Sequence, residues 1–303
     1  MISFIVIGRN ESQNIQRCIQ SVLDCIIKCK VEKYEIIYVD SRSEDDSIEI
    51  VKKYQEVTII KLIEDYNAAI ARNLGANLAK GDVLFFIDGD MTIDEYFLNE
   101  AQSKYDLISN IITGIVNIVY RDFFSKAGPG FVIIIGKKIW ESQKGMNVKY
   151  TPAEDSEFLF RLNQRNIKLR KIDKRIAIHY SKNWVCSKEM LRRLFQGDTL
   201  CRGMFYRDYF LSWKMWKFIF RNEYSSLLLF VLLIFIFLKL INPIFITVYL
   251  ILLLIRIFVK KNLGVIDFFV RIIYYFMRDI SVYFGFLFYF PSNKKNIQYE
   301  KIQ

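Results

Sequence analysis

The chain has 303 residues, room for one large domain or two smaller ones. Hydrophobic residues make up 52% and aromatics 16%, too apolar for an ordinary water-soluble protein, so membrane-associated segments are expected. The formal charge of +11 suits nucleic acid, anionic lipid or a phosphorylated substrate, while five cysteines, odd in number and without a paired C-x-x-C framework, exclude a disulfide scaffold.

The first half alternates strands with helices. Ile2 to Ile7 is a short apolar run of the kind a buried strand requires; it lacks the basic flank and cleavage site of a signal peptide. Asn14 to Ile27 carries Ile15, Cys18, Ile19, Val22, Leu23 and Ile26 at helical spacing, so Cys25 and Cys29 fall on a helix rather than in a zinc knuckle. Strands follow at Tyr34–Val39, Val57–Leu62 and Val83–Ile87, separated by helices at Asp46–Tyr54 and Ala68–Ala79. This rhythm predicts an α/β fold with a mostly parallel sheet and helices on both faces. Beyond Asp90 the pattern loosens. It predicts a helix at Ile93–Gln102, a strand near Ile111–Tyr120, and an AGPG connection into a strand at Phe131–Ile135. Helices at Lys138–Lys144 and Ser156–Gln164 precede a last strand at Ile176–Tyr180.

The composition then changes. Ser225 to Leu238 reads SSLLLFVLLIFIFL, Asn242-Pro243 breaks it, and Ile244 to Ile255 resumes as IFITVYLILLLI. With their flanks these runs approach the ~20 residues that cross a bilayer. A buried hairpin of a soluble protein is the competing reading, because Lys239 and Arg256 interrupt the edges. Lys214, Lys217 and Arg221 precede the first run and Arg256, Lys260 and Lys261 follow the second. By the positive-inside rule the N-terminal half then lies in the cytosol, on the inner membrane. The expected organisation is a domain over 1–210 and a membrane-associated region over 211–303. Spans are expected at 224–241 and 243–259, with an amphipathic segment over 264–290. Much of the basic excess lies around these runs, so nucleic acid explains the charge poorly.

The segment FFIDGDM (Phe85 to Met91) ends an apolar strand with two carboxylates one residue apart, where each raises the other's pKa unless a cation or a solvated turn intervenes. Asn10 and Glu11 follow the first strand, Asp40 the second, and Asp88 and Asp90 the fourth. In open parallel sheets, ligands bind beyond these carboxyl ends. A single aspartate there is most often a turn residue or cap; three strands delivering them to one edge point to a site. Two carboxylates beside a phosphate are reconciled by a hard divalent cation, Mg²⁺ or Mn²⁺.

On these segments the chain resembles a family 2 glycosyltransferase of the GT-A fold. IVIGRNESQNI is similar to the opening strand, loop and helix, although the family often has Pro and Tyr where this chain has Gly8 and Arg9. YVDSRSEDDSIEI is similar to the nucleotide loop, usually V-D-D-x-S-x-D, with Ser41 and Arg42 departing from it. AAIARNLGANLAKGDVLFFIDGDM matches the helix, turn and D-x-D strand, and GMNVKYTPAEDSEF the acceptor-side Glu-Asp segment. The similarity covers roughly residues 1–200. It implies a nucleotide-diphosphate-sugar donor, a glycan or lipid-linked acceptor, and a Rossmann-like domain followed by C-terminal membrane helices.

The resemblance also implies roles. Asn10 and Glu11 lie in the nucleotide-sugar loop, and Asp40 accepts a hydrogen bond from the nucleobase, the alternative being loop capping through Ser43 and Asp46. Arg72 reaches the nucleotide phosphate or ribose, or is a surface arginine. Asp88 faces the ribose, and Asp90 binds the bridging metal. Asp155 is the base that deprotonates the acceptor, with Glu154 the local alternative; the competing reading is an acidic first turn favoured by the helix dipole. His179, the single histidine, is a further metal ligand or a satisfied core residue. Arg192, Arg193, Gly197 and Arg202 either clamp diphosphate or dock on anionic lipid. No Q-x-x-R-W motif of processive members is evident around Trp184 or Trp213, which speaks against long-polymer synthesis. Three other readings compete. A polyprenyl-phosphate acceptor would need no base, and an inert nucleotide-sugar or glycan binder would need neither base nor metal. Aspartyl phosphatase chemistry is disfavoured, because its first aspartate should follow the first strand.

Overall fold

Strand β1 (Ile2–Gly8) serves two cores at once, because successive side chains of a strand point to opposite faces. Ile2, Phe4 and Val6 join one buried cluster, and Ile5 and Ile7 join the other. The same alternation runs through β2 (Tyr34–Asp40), where Ile36 and Tyr38 oppose Ile37 and Val39. In β4 (Val83–Asp88) Phe85 and Ile87 oppose Leu84 and Phe86. Helix α1 (Ile15–Lys28) covers the first face with Ile15, Cys18, Ile19, Val22, Cys25 and Ile26. Helix α3 (Ala68–Leu78) covers the second, and Gly75 leaves room there for Ile5 and Val39 of the sheet beneath. Asn67 starts α3 by accepting a hydrogen bond from the Ile70 amide at 2.7 Å.

The protein is seen here as a computed structural model that describes all residues except 65–66, 121–122, 128–130, 181–190, 193, 195–197, 240–242, 259–264 and 292–296. Gly128 to Gly130 of the expected AGPG connection, Trp184, Arg193, Gly197, Asn242, Lys260 and Lys261 lie outside the described residues. The other strands of the sheet domain are β3 (Val57–Leu62), β5 (Met91–Ile93), β6 (Ile111–Tyr120), β7 (Phe123–Ala127), β8 (Ile133–Gly136), β9 (Leu169–His179) and β10 (Tyr299–Lys301). Helices α2 (Ser47–Val51), α4 (Phe97–Lys104), α5 (Lys137–Ser142) and α6 (Glu154–Gln164) complete it.

The ten strands form one sheet in the order β10-β3-β2-β1-β4-β8-β6-β9-β5, with β7 paired to β6. The expectation of a mostly parallel sheet needs correction: the sheet is mixed. Strands β3, β2, β1 and β4 are parallel, as their helical crossovers require. Strand β8 then pairs antiparallel with both β4 and β6, and β5 antiparallel with β9. The physical reason is the loss of the crossover helix: β5 follows β4 after a two-residue turn at Gly89-Asp90. Strand β9 also begins seven residues earlier than expected, because its first part, LRKIDKR, lies on the sheet with mostly exposed charged side chains.

The chain divides into two compact units, residues 1–182 with 293–303, and residues 183–292. The sequence-based boundary at 210 falls inside the second unit, and the last residues belong with the first because β10 pairs antiparallel with β3. The second unit is helical: α7 (Asp198–Asp208), α8 (Trp213–Asn222), α9 (Tyr224–Phe237), α10 (Pro243–Phe258) and α11 (Val265–Phe288). Among the described residues no single helix is long and apolar enough to cross a membrane. At 1.5 Å per residue, the 14 residues of α9 reach roughly 21 Å and the 16 of α10 roughly 24 Å, short of the ~30 Å hydrocarbon core. Helices α8 and α9 meet at a 94° bend. Beside its apolar cluster of Leu229, Leu232, Tyr249 and Leu253 the unit buries charged groups. Glu223, buried, accepts hydrogen bonds from the Tyr206 hydroxyl at 2.8 Å and from Arg278, and Asp279, also buried, accepts from Ser226.

Candidate active site

Site residues gather where the parallel strands end. Asp88 closes β4, and Arg72, on the second turn of α3, reaches it: Nη2 donates to Asp88 Oδ1 at 2.7 Å. Nη1 donates to Asp155 Oδ1 at 3.2 Å and stands 3.7 Å from Glu154 Oε1, both at the start of α6. The guanidinium is 3% exposed and lies 4.7 Å from the centre of the Phe131 ring. One buried cation therefore ties together three carboxylates, the farthest of them, Asp155, 83 residues from Arg72 along the chain. Met146, on the loop before α6, lies against the same guanidinium.

Arg72 is not a surface arginine: it is buried, and its two terminal nitrogens serve carboxylates. It acts as the counter-charge that lets the carboxylates sit close together. Arg72 Nε and Glu154 Oε2 are buried polar atoms without a hydrogen-bond partner.

The electrostatics follow from burial. Desolvation pushes Asp88 above the ordinary carboxylate range, with Arg72 opposing. Desolvation together with the Asp155 charge pushes Glu154 up to about 7, again against Arg72. Asp155 is also raised by burial and opposed by Arg72, although its side chain keeps 40% exposure. Burial opposes the Arg72 charge, but Asp88, Asp155 and Glu154 outweigh it and strengthen protonation. Of the Glu-Asp pair, Asp155 is the solvent-exposed carboxylate, whereas Glu154 is buried.

Asp90 and His179 form a second pair, with Oδ2 and Nε2 2.9 Å apart. Sheet register creates it. Met91 pairs with His179 across β5 and β9, and the Tyr180 amide donates to the Asp90 carbonyl at 2.8 Å. His179 is only part-buried and directed at the carboxylate, so it is not a core histidine. Burial disfavours the imidazolium, but the hydrogen bond and charge of Asp90 outweigh it and raise the pKa. Among the described residues no group of three His, Cys, Asp or Glu side chains forms a ready-made metal cage. One carboxylate and one imidazole fit a cation that draws its remaining oxygen ligands from water and phosphate, as Mg²⁺ and Mn²⁺ do.

Asp40 is engaged within its own loop. Fully buried, it accepts hydrogen bonds from the Ser43 amide at 2.8 Å, the Ser43 hydroxyl at 2.5 Å and the Tyr38 hydroxyl at 3.0 Å. In this arrangement it caps its own loop through Ser43. Asp46 stands at the N-cap of α2 without a side-chain cap bond. The loop so held receives the one after β1. Ser43 Oγ accepts from the Asn10 amide at 2.9 Å, Asn10 Oδ1 from the Glu44 amide at 2.8 Å, and Ser47 Oγ from the Glu11 amide at 2.8 Å. Between the loops lies a cleft of about 340 Å³ lined by Asn10, Glu11, Asn14, Glu44 and Asp45 among others.

Further side chains hold this frame. Asn73 accepts from the Met146 amide and donates to its carbonyl, both at 2.8 Å. Gly145 makes the approach possible: its φ is +62°, and a Cβ there would collide with the Asn73 side chain. Arg161 ties Glu157 of α6 to the carbonyls of Gln143 and Gly145. Among the described residues Cys18, Cys25, Cys29 and Cys201 are buried and form no disulfide.

Comparison with known proteins agrees with this layout. The profile of "Glycosyl transferase family 2" matches residues 3–195, well over half of the chain. Glycosyltransferase AglE of Haloferax volcanii is 31% identical over 106 residues, 34% of each chain. The Staphylococcus aureus poly(ribitol-phosphate) beta-N-acetylglucosaminyltransferase TarP is 30% identical over 103 residues, 33% of this chain and 31% of that one. Amylovoran biosynthesis glycosyltransferase AmsB of Erwinia amylovora is 31% identical over 143 residues, covering 42% and 46%. The chain thus aligns with between about a third and a half of the length of these relatives. The crystal structure of S. aureus TarS 1–349 superposes with a TM-score of 0.50 over 74% of both chains at 16% identity, a likeness of fold. With the D-x-D strand, the buried arginine and the Glu-Asp helix start in their places, the chain belongs to glycosyl transferase family 2.

Proposed function

We propose that this protein transfers a sugar, with inversion, from a nucleotide diphosphate sugar to a hydroxyl of a glycan or lipid-linked acceptor at the cytosolic face of a membrane. One observation carries the reading: three carboxylates converge on the buried Arg72, and one of them, Asp155, is open to solvent beside the D-x-D turn. Asp155 takes the proton of the acceptor hydroxyl as its oxygen bonds to the anomeric carbon and the bond to the diphosphate breaks. Arg72 fixes the direction of that carboxylate, and Asn10 and Glu11 border the cleft for the nucleotide. Asp90 and His179 would hold a divalent cation, whose chemistry when bound is to neutralise charge on the departing diphosphate.

A solved structure of TarS with UDP-GlcNAc has the same fold at a TM-score of 0.50, which supports UDP as the first nucleotide to test. The relative TarP is by name a poly(ribitol-phosphate) transferase, which supports a polyol-phosphate or other anionic glycan among the acceptors. The membrane location is supported by the large apolar side chains exposed on the second unit, Phe230, Leu233, Ile251, Ile255, Phe276 and Phe284 among them. That apolar surface also favours a second reading, a polyprenyl-phosphate acceptor, already an anion and in no need of a base.

The test is nucleotide release from a panel of UDP- and GDP-sugars with polyol-phosphate, glycan and polyprenyl-phosphate acceptors, together with NMR of the product anomer. An inverted product, and a 10²- to 10⁴-fold loss in Asp155→Asn, supports base catalysis. A small loss with polyprenyl phosphate alone selects the second reading. A retained anomer, or no turnover of any donor, contradicts the proposal.

A further inference from the structure

Helix α8 has two faces of opposite character. Met215 and Ile219 are buried against the rest of the second unit. Trp213, Lys217, Phe220 and Arg221 fall within about 100° of arc on the other side, at 100° per residue. Trp213 is 68% and Phe220 59% exposed, and Leu211, just before the Ser212 cap, is 99% exposed. The Lys217 ammonium stands 5.7 Å from the centre of the Trp213 ring, so the charge and the aromatic ring occupy one patch.

Water is a poor partner for this patch, and a protein core is no better, because it would strip both cations. The headgroup layer of a membrane suits both components: indole and phenyl rings settle at the acyl boundary while Lys and Arg meet lipid phosphates. The acidic residues nearby do not cancel the charge. Glu223 is buried and bonded to Tyr206, Arg202 and Arg278, and Asp208 receives a hydrogen bond from Arg207. Orientation agrees. The 94° bend into α9, which carries no charged side chain, places α8 flat in the membrane plane when α9 points along the normal.

We propose that α8 is an interfacial anchor that binds anionic phospholipid through Lys217 and Arg221, with Trp213 and Phe220 seated at the acyl boundary. This rests on the membrane part of the function proposed above. It adds the site and the lipid chemistry: a headgroup of net negative charge, rather than a merely apolar phase.

The test uses the full chain transferred from detergent to vesicles of phosphatidylglycerol with phosphatidylcholine, or of phosphatidylcholine alone. Flotation reports whether the chain binds membranes. Lipids brominated near the headgroup or deep in the tails quench tryptophan, and the difference between wild type and Trp213→Phe isolates Trp213. Shallow quenching of Trp213 is expected, stronger with phosphatidylglycerol and reduced by salt. Lys217→Gln with Arg221→Gln should weaken the phosphatidylglycerol preference by roughly 25-fold, about five-fold per charge, with flotation on high-protein loads retained. Trp213 that stays unquenched in chains that float, or a headgroup preference unchanged in the double variant, overturns the anchor while leaving the membrane reading intact. Failure to float on either vesicle overturns both, and neither result depends on nucleotide-sugar turnover.

Discussion

Replacing Arg72 by methionine removes the one cation that holds Asp88, Glu154 and Asp155 together while keeping most of the side-chain volume. At an effective dielectric near 20 a charge pair at about 4 Å is worth roughly 4 kcal/mol, and mutual repulsion among the carboxylates offsets part of the sum. Breaking a buried pair on one side costs about 3–5 kcal/mol. At 2–4 °C per kcal/mol for a domain of this size, that is a fall in Tm of about 6–20 °C. The loss depends on pH with a definite sign. Without the cation the three carboxyl groups hold protons more tightly in the folded than in the unfolded state, so the variant gains stability as pH falls from about 8 toward 5. Urea unfolding of the detergent-solubilised chain, followed by the fluorescence of buried Trp140, reads this out. The gap between wild type and Arg72→Met is expected to narrow by more than half over that pH range. A gap under about 1 kcal/mol at pH 8, or one independent of pH, would refute the ion-cluster argument.

Three further outcomes are expected. Glu154, pushed up to about 7 from an ordinary value near 4.5, makes stability fall as pH rises through that window; Glu154→Gln should flatten this part of the profile in thermal melts. His179 is the single histidine, so its imidazole titration by NMR is unambiguous: its raised pKa should drop in Asp90→Asn, and stability from the pair is present below the ordinary histidine value and lost as pH rises through the raised one. Asn73→Ala leaves the Met146 amide and carbonyl without their partner and should cost about 1–3 kcal/mol in urea unfolding.

The parallel half of the fold was legible because its strands and helices differ in period: β1, β2 and β4 are short apolar runs, and α1 and α3 carry apolar residues at helical spacing. The antiparallel half was less so. β5 is three residues long, and β9 hides its first turns in a charged stretch, so neither gives a strong periodic signal. For the site, the D-x-D turn and the Glu-Asp segment stood out as motifs, yet their partnership did not. The resemblance marked Arg72 as a site residue, but its carboxylate partners appear only when the fold brings α3, β4 and α6 together. Likewise Asp90 finds His179 through the β5–β9 register, 89 residues away. Asp40 shows the opposite case: a motif position whose carboxylate is spent on its own loop. The apolar runs were legible as composition, but helix length came from where Asn222–Tyr224 bends and where Pro243 restarts the chain.

The most direct measurement is calorimetric titration of the detergent-purified chain with UDP and with GDP, each with and without Mn²⁺, beside Asp90→Ala. The account predicts binding of one nucleotide that strengthens with the metal and loses that dependence in the variant. Binding of neither nucleotide, or binding indifferent to both Mn²⁺ and Asp90, would contradict a metal-assisted donor site at the end of β4.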